Sequence, residues 1–315
     1  MATMRAVEFD RFGPADVLEV RQVPRPAPGP GEVLVRVAAA SVNPKDTFVR
    51  KGRFARYSGK RFPLRSGYDF AGTVAEAGPG ADLPPGTPVW GMLNGWAAGA
   101  CANYLAAGRD EVAHLPTGLS MAEAASLPLA AQTALQALRD HGGVRPGHRV
   151  LVHGASGGVG SAAVQVAAAL GARVTGTCSA ANADLVRSLG AEEAVDYRER
   201  AAETLPGPFD TVFDVFGNLG FGRVRRMLAP KGRYVTTVPS RRNILDMILT
   251  RLSWGRRASL VVVKSSRADL EFLGRLVETG RLRPLVDRVY PLDAVRDAHR
   301  HVETKHTRGK VVVSL

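Results

Sequence analysis

The run Val150-Leu-Val-His-Gly-Ala-Ser-Gly-Gly-Val-Gly160 constrains the fold of this chain more than any other feature. An apolar strand pattern runs straight into glycines and then into the helical stretch 161–170, the layout with which a βαβ unit opens a dinucleotide site. Aligned on its last glycine, the turn reads Ala155-Ser156-Gly157-Gly158-Val159-Gly160, a G-x-G-x-x-G pattern with alanine in the first place. Gly157 lets the backbone approach a pyrophosphate, Gly160 lets the helix lie close on the strand, and the helix N-terminus attracts the anion. Arg173–Cys178 supplies a second strand and Ala183–Leu189 a second helix, the context that separates a dinucleotide turn from an ordinary tight turn.

At 315 residues and 45% apolar content the chain is long enough for two globular domains. No apolar stretch reaches the roughly 18 residues of a membrane span, and the start Met1-Ala-Thr-Met-Arg-Ala-Val-Glu8 lacks the apolar core of a signal peptide, so a cytoplasmic protein is expected. Its two cysteines, Cys101 and Cys178, fit no metal-ligand spacing and read as small semi-buried residues; a disulfide between them would be unusual in a reducing compartment. No bound metal is expected. The net charge of +13 is uneven: residues 1–221 hold 21 basic and 21 acidic residues, whereas 222–315 hold 21 against 8. Such a field either attracts an acidic ligand, nucleic acid or anionic membrane, or coats a solvated surface.

The first third carries short β-like runs separated by Gly and Pro, at Arg5–Phe9, Leu18–Val23, Glu32–Ala40, Ala71–Ala77, Pro88–Gly91 and Cys101–Ala106, as in a small irregular β-domain. From about Ala122 helices and strands alternate regularly as far as Lys264, which implies a parallel sheet covered on both faces. The helix Arg267–Glu278 and a β-rich tail follow. The expected fold is α/β, with domains at 1–122, 123–265 and a return to the first domain over 266–315.

Taken together the chain resembles the medium-chain dehydrogenase/reductase superfamily, in its zinc-free quinone oxidoreductase (zeta-crystallin-like) and enone/alkenal reductase branch. The resemblance is carried by Ser41-Val-Asn-Pro-Lys-Asp-Thr-Phe-Val-Arg-Lys-Gly52, Gly67-Tyr-Asp-Phe-Ala-Gly-Thr-Val74, Leu127-Pro-Leu-Ala-Ala-Gln-Thr-Ala134, the glycine turn, Leu189-Gly-Ala-Glu-Glu-Ala-Val-Asp-Tyr-Arg198 and Thr307-Arg-Gly-Lys-Val-Val312. It implies a GroES-like β-rich catalytic domain built from both chain ends, a doubly wound Rossmann domain between, and a cleft for the nicotinamide. Metal-dependent members carry a cysteine where this chain has Asn43, and Gly-His-Glu where it has Gly67-Tyr68-Asp69. Without a Lewis acid to stabilise an alkoxide, reduction of a quinone or an α,β-unsaturated carbonyl fits better than alcohol oxidation.

NAD-preferring Rossmann folds end the second strand with a carboxylate for the ribose 2′-hydroxyl, where this chain has Cys178-Ser179. With Ser179, Asn182 and Tyr197 as donors, NADPH is the expected cofactor. Some relatives place a lysine near position 183, where this chain has alanine. The resemblance adds Thr133, Ala155, Ser156, Gly157, Gly158, Val159, Phe216 and Val238 to the cofactor-contacting set, with Arg308, Gly309 and Lys310 from the C-terminal Arg-Gly-Lys, unless these last form a solvated basic tail. On the substrate side it points to Asn43, Asp46, Phe48, Arg50 and Tyr68. Relatives often carry tyrosine at Phe48, so the proton for the reduced product is expected from water. Tyr68 reads equally as a site residue or a core aromatic hydrogen-bonded once, and Lys45 as an electrophile or an exposed lysine.

Segment 241–257 sets Ile244, Leu245, Ile248, Leu249 and Leu252 at helical spacing between basic ends. It reads as a lid on the substrate cleft or a dimer interface, or else as a contact with a membrane that holds lipophilic quinones. The leading expectation is an NADPH-dependent, zinc-independent reductase of quinones, enones or 2-alkenals, monomeric or homodimeric. The rivals are an enoyl or polyketide-type reductase on carrier-bound acyl chains and an NADPH-sensing nucleic-acid-binding protein. No recognised nucleic-acid module supports the last.

Overall fold

The computed structural model describes residues 2–96, 98–252 and 254–315, so Met1 and, within segment 241–257, Ser253 lie outside the described residues. The chain divides into two compact units, one of 1–129 with 264–315 and one of 130–263.

The first unit opens with β1 (Thr3–Phe9), β2 (Glu19–Pro24) and β3 (Val33–Val42). The proline-rich stretch 25–31 links β2 to β3 without helix or strand, since proline supplies no N–H to a ladder. Then come α1 (Pro44–Arg50), α2 (Ala55–Ser58), β4 (Leu64–Arg65), β5 (Asp69–Ala77), β6 (Pro88–Met92), β7 (Tyr104–Ala107), β8 (Val112–His114) and α3 (Met121–Ala125). The second unit runs α4 (Pro128–Leu135), β9 (Arg149–His153), α5 (Gly158–Ala169), β10 (Arg173–Cys178), α6 (Ala183–Ser188), β11 (Glu193–Asp196), β12 (Phe209–Asp214), α7 (Phe221–Val224), β13 (Leu228–Thr236), α8 (Arg241–Thr250) and β14 (Arg257–Leu260). The chain then returns to the first unit with α9 (Arg267–Glu278), β15 (Val286–Pro291), α10 (Val295–Glu303) and β16 (Lys310–Ser314).

In the first unit a seven-stranded sheet has the order β15-β16-β3-β5-β6-β8 with β7 also on β3, beside a three-stranded sheet β2-β1-β4. The C-terminal strand is an integral part of this sheet: Val311, Val312 and Val313 face Val42, Ser41 and Ala40 across an antiparallel ladder. Phe9, Leu18, Val35, Phe70, Val89, Val311 and Val313 are among the buried side chains of its core. Helix α3, whose pattern groups it with the second domain, packs on β3 and β5 and so belongs here.

The second unit's sheet has the order β11-β10-β9-β12-β13-β14, with every neighbouring pair parallel. This is the doubly wound order in which the chain starts at the centre and reverses direction between β9 and β12. Val150, Leu151 and Val152 of β9 have no exposed surface, as expected of a central parallel strand covered on both faces.

Candidate functional site

The β9–α5 turn is the glycine-rich segment of the second unit. Gly154 has φ +88°, a backbone conformation open to glycine, and ends β9 in the sharp turn. The conformational freedom sought one place later, at Ala155, therefore comes from Gly154, and Ala155 is itself fully buried, its methyl beside Gly176 of β10. A Cβ on Gly160 would lie 1.9 Å from the Gly154 carbonyl oxygen, so only glycine lets α5 sit this close to the strand. A Cβ on Gly157 would meet only that oxygen, at 3.7 Å, which leaves open space over the turn. Helix α5 starts at Gly158, three residues earlier than the pattern suggests, so the N–H groups of Gly158 and Val159 lie in its first turn.

Beyond this turn lie Ser156, Ser179 and Asn182. The Asn182 amide donates to Ser156 Oγ at 3.3 Å and to Ser179 Oγ at 3.2 Å. Three neutral polar side chains thus meet at the end of β10, where a carboxylate would hold a ribose 2′-hydroxyl. The nearby carboxylate of Asp196 is held by the Ala180 and Arg198 N–H groups. Tyr197 is about half exposed beside this group in sequence, and its N–H donates to the Cys178 carbonyl.

At the ends of β9 and β12, the His153 ring bonds Thr177 Oγ1 at 2.7 Å and Asn218 Oδ1 at 3.0 Å, and burial holds its pKa below the usual histidine value. Phe216, half exposed, meets His153 edge to face and covers Gly154. Val238 packs on Gly217, and its carbonyl accepts from Asn243 Nδ2. Thr133 is buried within α4. These cofactor candidates fit a pyridine nucleotide: an anion cradle, polar groups past the second strand and an aromatic edge over the turn.

In the first unit, the residues around Asn43 form a buried polar network. Lys310 Nζ donates to Asn43 Oδ1 and, at 3.1 Å, to Asp69 Oδ2. Asp69 Oδ2 also accepts from Ser41 Oγ at 2.5 Å and Asn43 Nδ2 at 2.8 Å, while its Oδ1 accepts the Leu129 N–H. Lys310 is thus no solvated basic tail: it is 93% buried, an internal cation paired with Asp69. Asn43 Oδ1 and Asp69 Oδ2 thus both accept from this ammonium. Among the described residues, no group of three or more His, Cys, Asp or Glu is disposed to hold a metal. Cys101 and Cys178 are both free and buried, one in each unit.

Two further substrate candidates turn out to be structural. Asp46 is buried and caps its own helix, with Oδ2 accepting the Asn43 N–H and Oδ1 the Gly67 N–H. Burial pushes its pKa up to about 6. Arg50 has no exposed surface and pairs with Glu303 of α10, so no ligand reaches it. Arg308 is exposed, and Gly309 has φ +91° with its backbone packed against the Leu285 carbonyl.

What the sequence pattern missed is an aromatic cluster around Lys45. Its ammonium stands 3.9 Å above the Tyr68 ring and 5.1 Å from the Trp96 ring, and donates to the Gly95 carbonyl at 3.0 Å. Tyr68 is buried and donates its hydroxyl to the Trp96 carbonyl, the singly bonded aromatic of one of its two readings. Tyr57 stacks on Trp96 at 4.9 Å, Phe54 leans on the same ring, and Phe48 meets Phe54 edge to face. Burial lowers the Lys45 pKa, against the pull of Asp46 and Asp69. The signal for this site was present only as aromatics at positions 48, 54, 57, 68 and 96, with no common period.

Comparison with known proteins places the chain among oxidoreductases. Residues 29–137 match the alcohol dehydrogenase GroES-like domain, and residues 189–313 the zinc-binding dehydrogenase domain. The chain is 33% identical to the chloroplastic quinone-oxidoreductase QR1 of Triphysaria versicolor over 98% of each chain. It is 33% identical to the 2-methylene-furan-3-one reductase of Solanum lycopersicum over 98% of this chain and 79% of that protein. The solved structure of the quinone oxidoreductase from Coxiella burnetii superposes with a TM-score of 0.91 over 100% of both chains, at 33% identity.

Proposed function

This chain belongs to the quinone oxidoreductase-like branch of the medium-chain dehydrogenase/reductase superfamily, and on that premise we propose that it is a zinc-independent, NADPH-dependent reductase of quinones or α,β-unsaturated carbonyls. When bound, a reduced nicotinamide supplies the hydride. The first turn of α5 and the open backbone at Gly157 hold the pyrophosphate through N–H groups and the helix dipole. Ser156, Ser179 and Asn182 donate to the ribose 2′-phosphate; this neutral, donor-rich cluster is the observation that carries the NADPH preference.

On the acceptor, charge develops on the carbonyl oxygen as the conjugated system takes up hydride. The Lys45 ammonium, partly desolvated over Tyr68, is fitted to donate a hydrogen bond to that oxygen. Phe48 brings no hydroxyl, so the final proton comes from water. The Lys310 ammonium among Asn43 and Asp69 supports the metal-free part of the reading. A cytoplasmic location belongs to the same proposal.

The test is oxidation of NADPH at 340 nm by chelator-treated protein with a quinone, a 2-alkenal, a cyclic enone and a saturated aldehyde. Turnover of the conjugated acceptors and not of the saturated aldehyde is expected. Activity restricted to the saturated aldehyde, or abolished by the chelator, contradicts the reading.

A further inference from the structure

The loop that leaves β12 carries an aromatic ring over the glycine turn, and a buried histidine holds that loop in place. His153 is the last residue of β9 and is buried, and its neighbour Thr177 has no exposed surface. Because Asn218 Oδ1 accepts from the ring, His153 Nε2 carries the proton and Nδ1 is left as the acceptor. The Thr177 hydroxyl donates to Nδ1 at 2.7 Å and in turn accepts the Gly154 N–H at 3.3 Å. One neutral histidine thereby joins the end of β10, the start of the glycine turn and the β12–α7 loop.

The backbone of the same loop is fixed separately by Asp214, whose Oδ1 accepts the Gly217 N–H and whose Oδ2 accepts the Leu219 N–H and the Tyr234 hydroxyl. What Asp214 leaves to His153 is the pair of side chains at 216 and 218. The His153 ring meets Phe216 edge to face, with centroids 6.3 Å apart. Phe216 in turn occupies the space that a side chain at 154 would fill, its Cε2 atom 2.5 Å from where a Gly154 Cβ would stand, and 51% of the residue stays exposed. An aromatic ring seated on one side and open on the other is suited to pack against a second planar ring.

We propose that His153 is a positioning residue of the dinucleotide site: through its hydrogen bond to Asn218 and its edge against Phe216, it presents the Phe216 ring to a planar ring of the bound cofactor. The effect passes through Phe216, since the histidine itself is buried and spends both ring nitrogens on protein partners. A hydrogen bond of this kind lowers the cost of ordering a half-exposed side chain when the ligand arrives. The inference rests on the proposed nucleotide site at the β9–α5 turn and holds whether the cofactor is NADPH or NADH.

The test is a double-mutant cycle on the dissociation constants of NADPH and NADH, measured by titration calorimetry for the wild type, His153→Phe, Phe216→Ala and the two combined. His153→Phe keeps a ring against Phe216 and removes both hydrogen bonds. It should weaken nucleotide binding about fivefold and raise KM for the nucleotide more than it lowers kcat. In the Phe216→Ala background the same change should have no further effect, because the ring that His153 positions is gone. His153→Gln, which keeps a donor directed at Asn218, should recover most of the affinity. Asn218→Ala alters an exposed residue, so it should reproduce the loss even where His153→Phe fails to fold. Losses that simply add in the double variant overturn the proposal and leave His153 with a role in folding only. So does nucleotide binding that neither His153→Phe nor Asn218→Ala moves. A wild type that binds neither nucleotide overturns the reading of the turn itself and this inference with it.

Discussion

Lys45 and Asp46 are adjacent in sequence and have opposite fates. The lysine sends its ammonium over the Tyr68 ring, while the aspartate folds back to cap its own helix. If Lys45 stabilises the developing oxyanion, Lys45→Met lowers kcat/KM for a quinone by about 10²-fold, and Lys45→Arg restores part of it. Steady-state kinetics with unchanged cofactor affinity would establish this. Asp46 instead governs stability. Its pKa of about 6 lies above its unfolded value, so the folded chain holds an extra proton between about pH 4 and 6. Its contribution is therefore lost as pH rises through that window, by about 3 kcal/mol. His299, buried against Ser66, works the other way: its pKa is pushed down to about 3, so its contribution is lost as pH falls below that of a free histidine. The two slopes offset in the wild type. In Asp46→Asn only the histidine slope remains, and urea unfolding at several pH values should show stability rising with pH more steeply than in the wild type.

At the scale of elements, the β9–α5 turn separates a folding glycine from a binding one. Gly160→Ala drives a methyl into the Gly154 carbonyl and should cost about 1–3 kcal/mol, seen as a lower unfolding midpoint. Gly157→Ala meets only an ordinary contact, so the fold should tolerate it while NADPH binding weakens on the order of tenfold, measured by titration calorimetry. The strand–glycine–helix order made this element legible in the sequence. Its N-terminal boundary was not, because Gly158 and Gly160 have poor helix propensity and enter the helix only through packing on β9. Helix α8 shows a second limit. Periodicity reveals that one face is apolar, but not that Asn243 and Thr250 find hydrogen bonds inside, which turns the leucines outward.

For the whole molecule, alternating strands and helices identify the parallel-sheet unit, and the Val-rich C-terminal strand signals the return to the β-rich one. Long-range polar pairs are what one-dimensional pattern could not supply. Lys310 reaches Asn43 across 267 positions and Asp69 across 241, and Arg50 reaches Glu303 across 253. These partners convert apparent surface or ligand-binding residues into internal structure. The cluster of Ser156, Ser179 and Asn182 was more legible, because Ser156 lies in the glycine turn and Ser179 and Asn182 directly follow the second strand. The central claim, a reductase that selects NADPH through neutral donors at the end of β10, is tested most directly by kcat/KM for NADPH and NADH with one quinone, in the wild type and in Ser179→Asp. The account predicts a wild-type preference for NADPH that a carboxylate at 179 lowers by at least about tenfold through repulsion of the 2′-phosphate. A wild type that prefers NADH, or a ratio unmoved by the substitution, would contradict it.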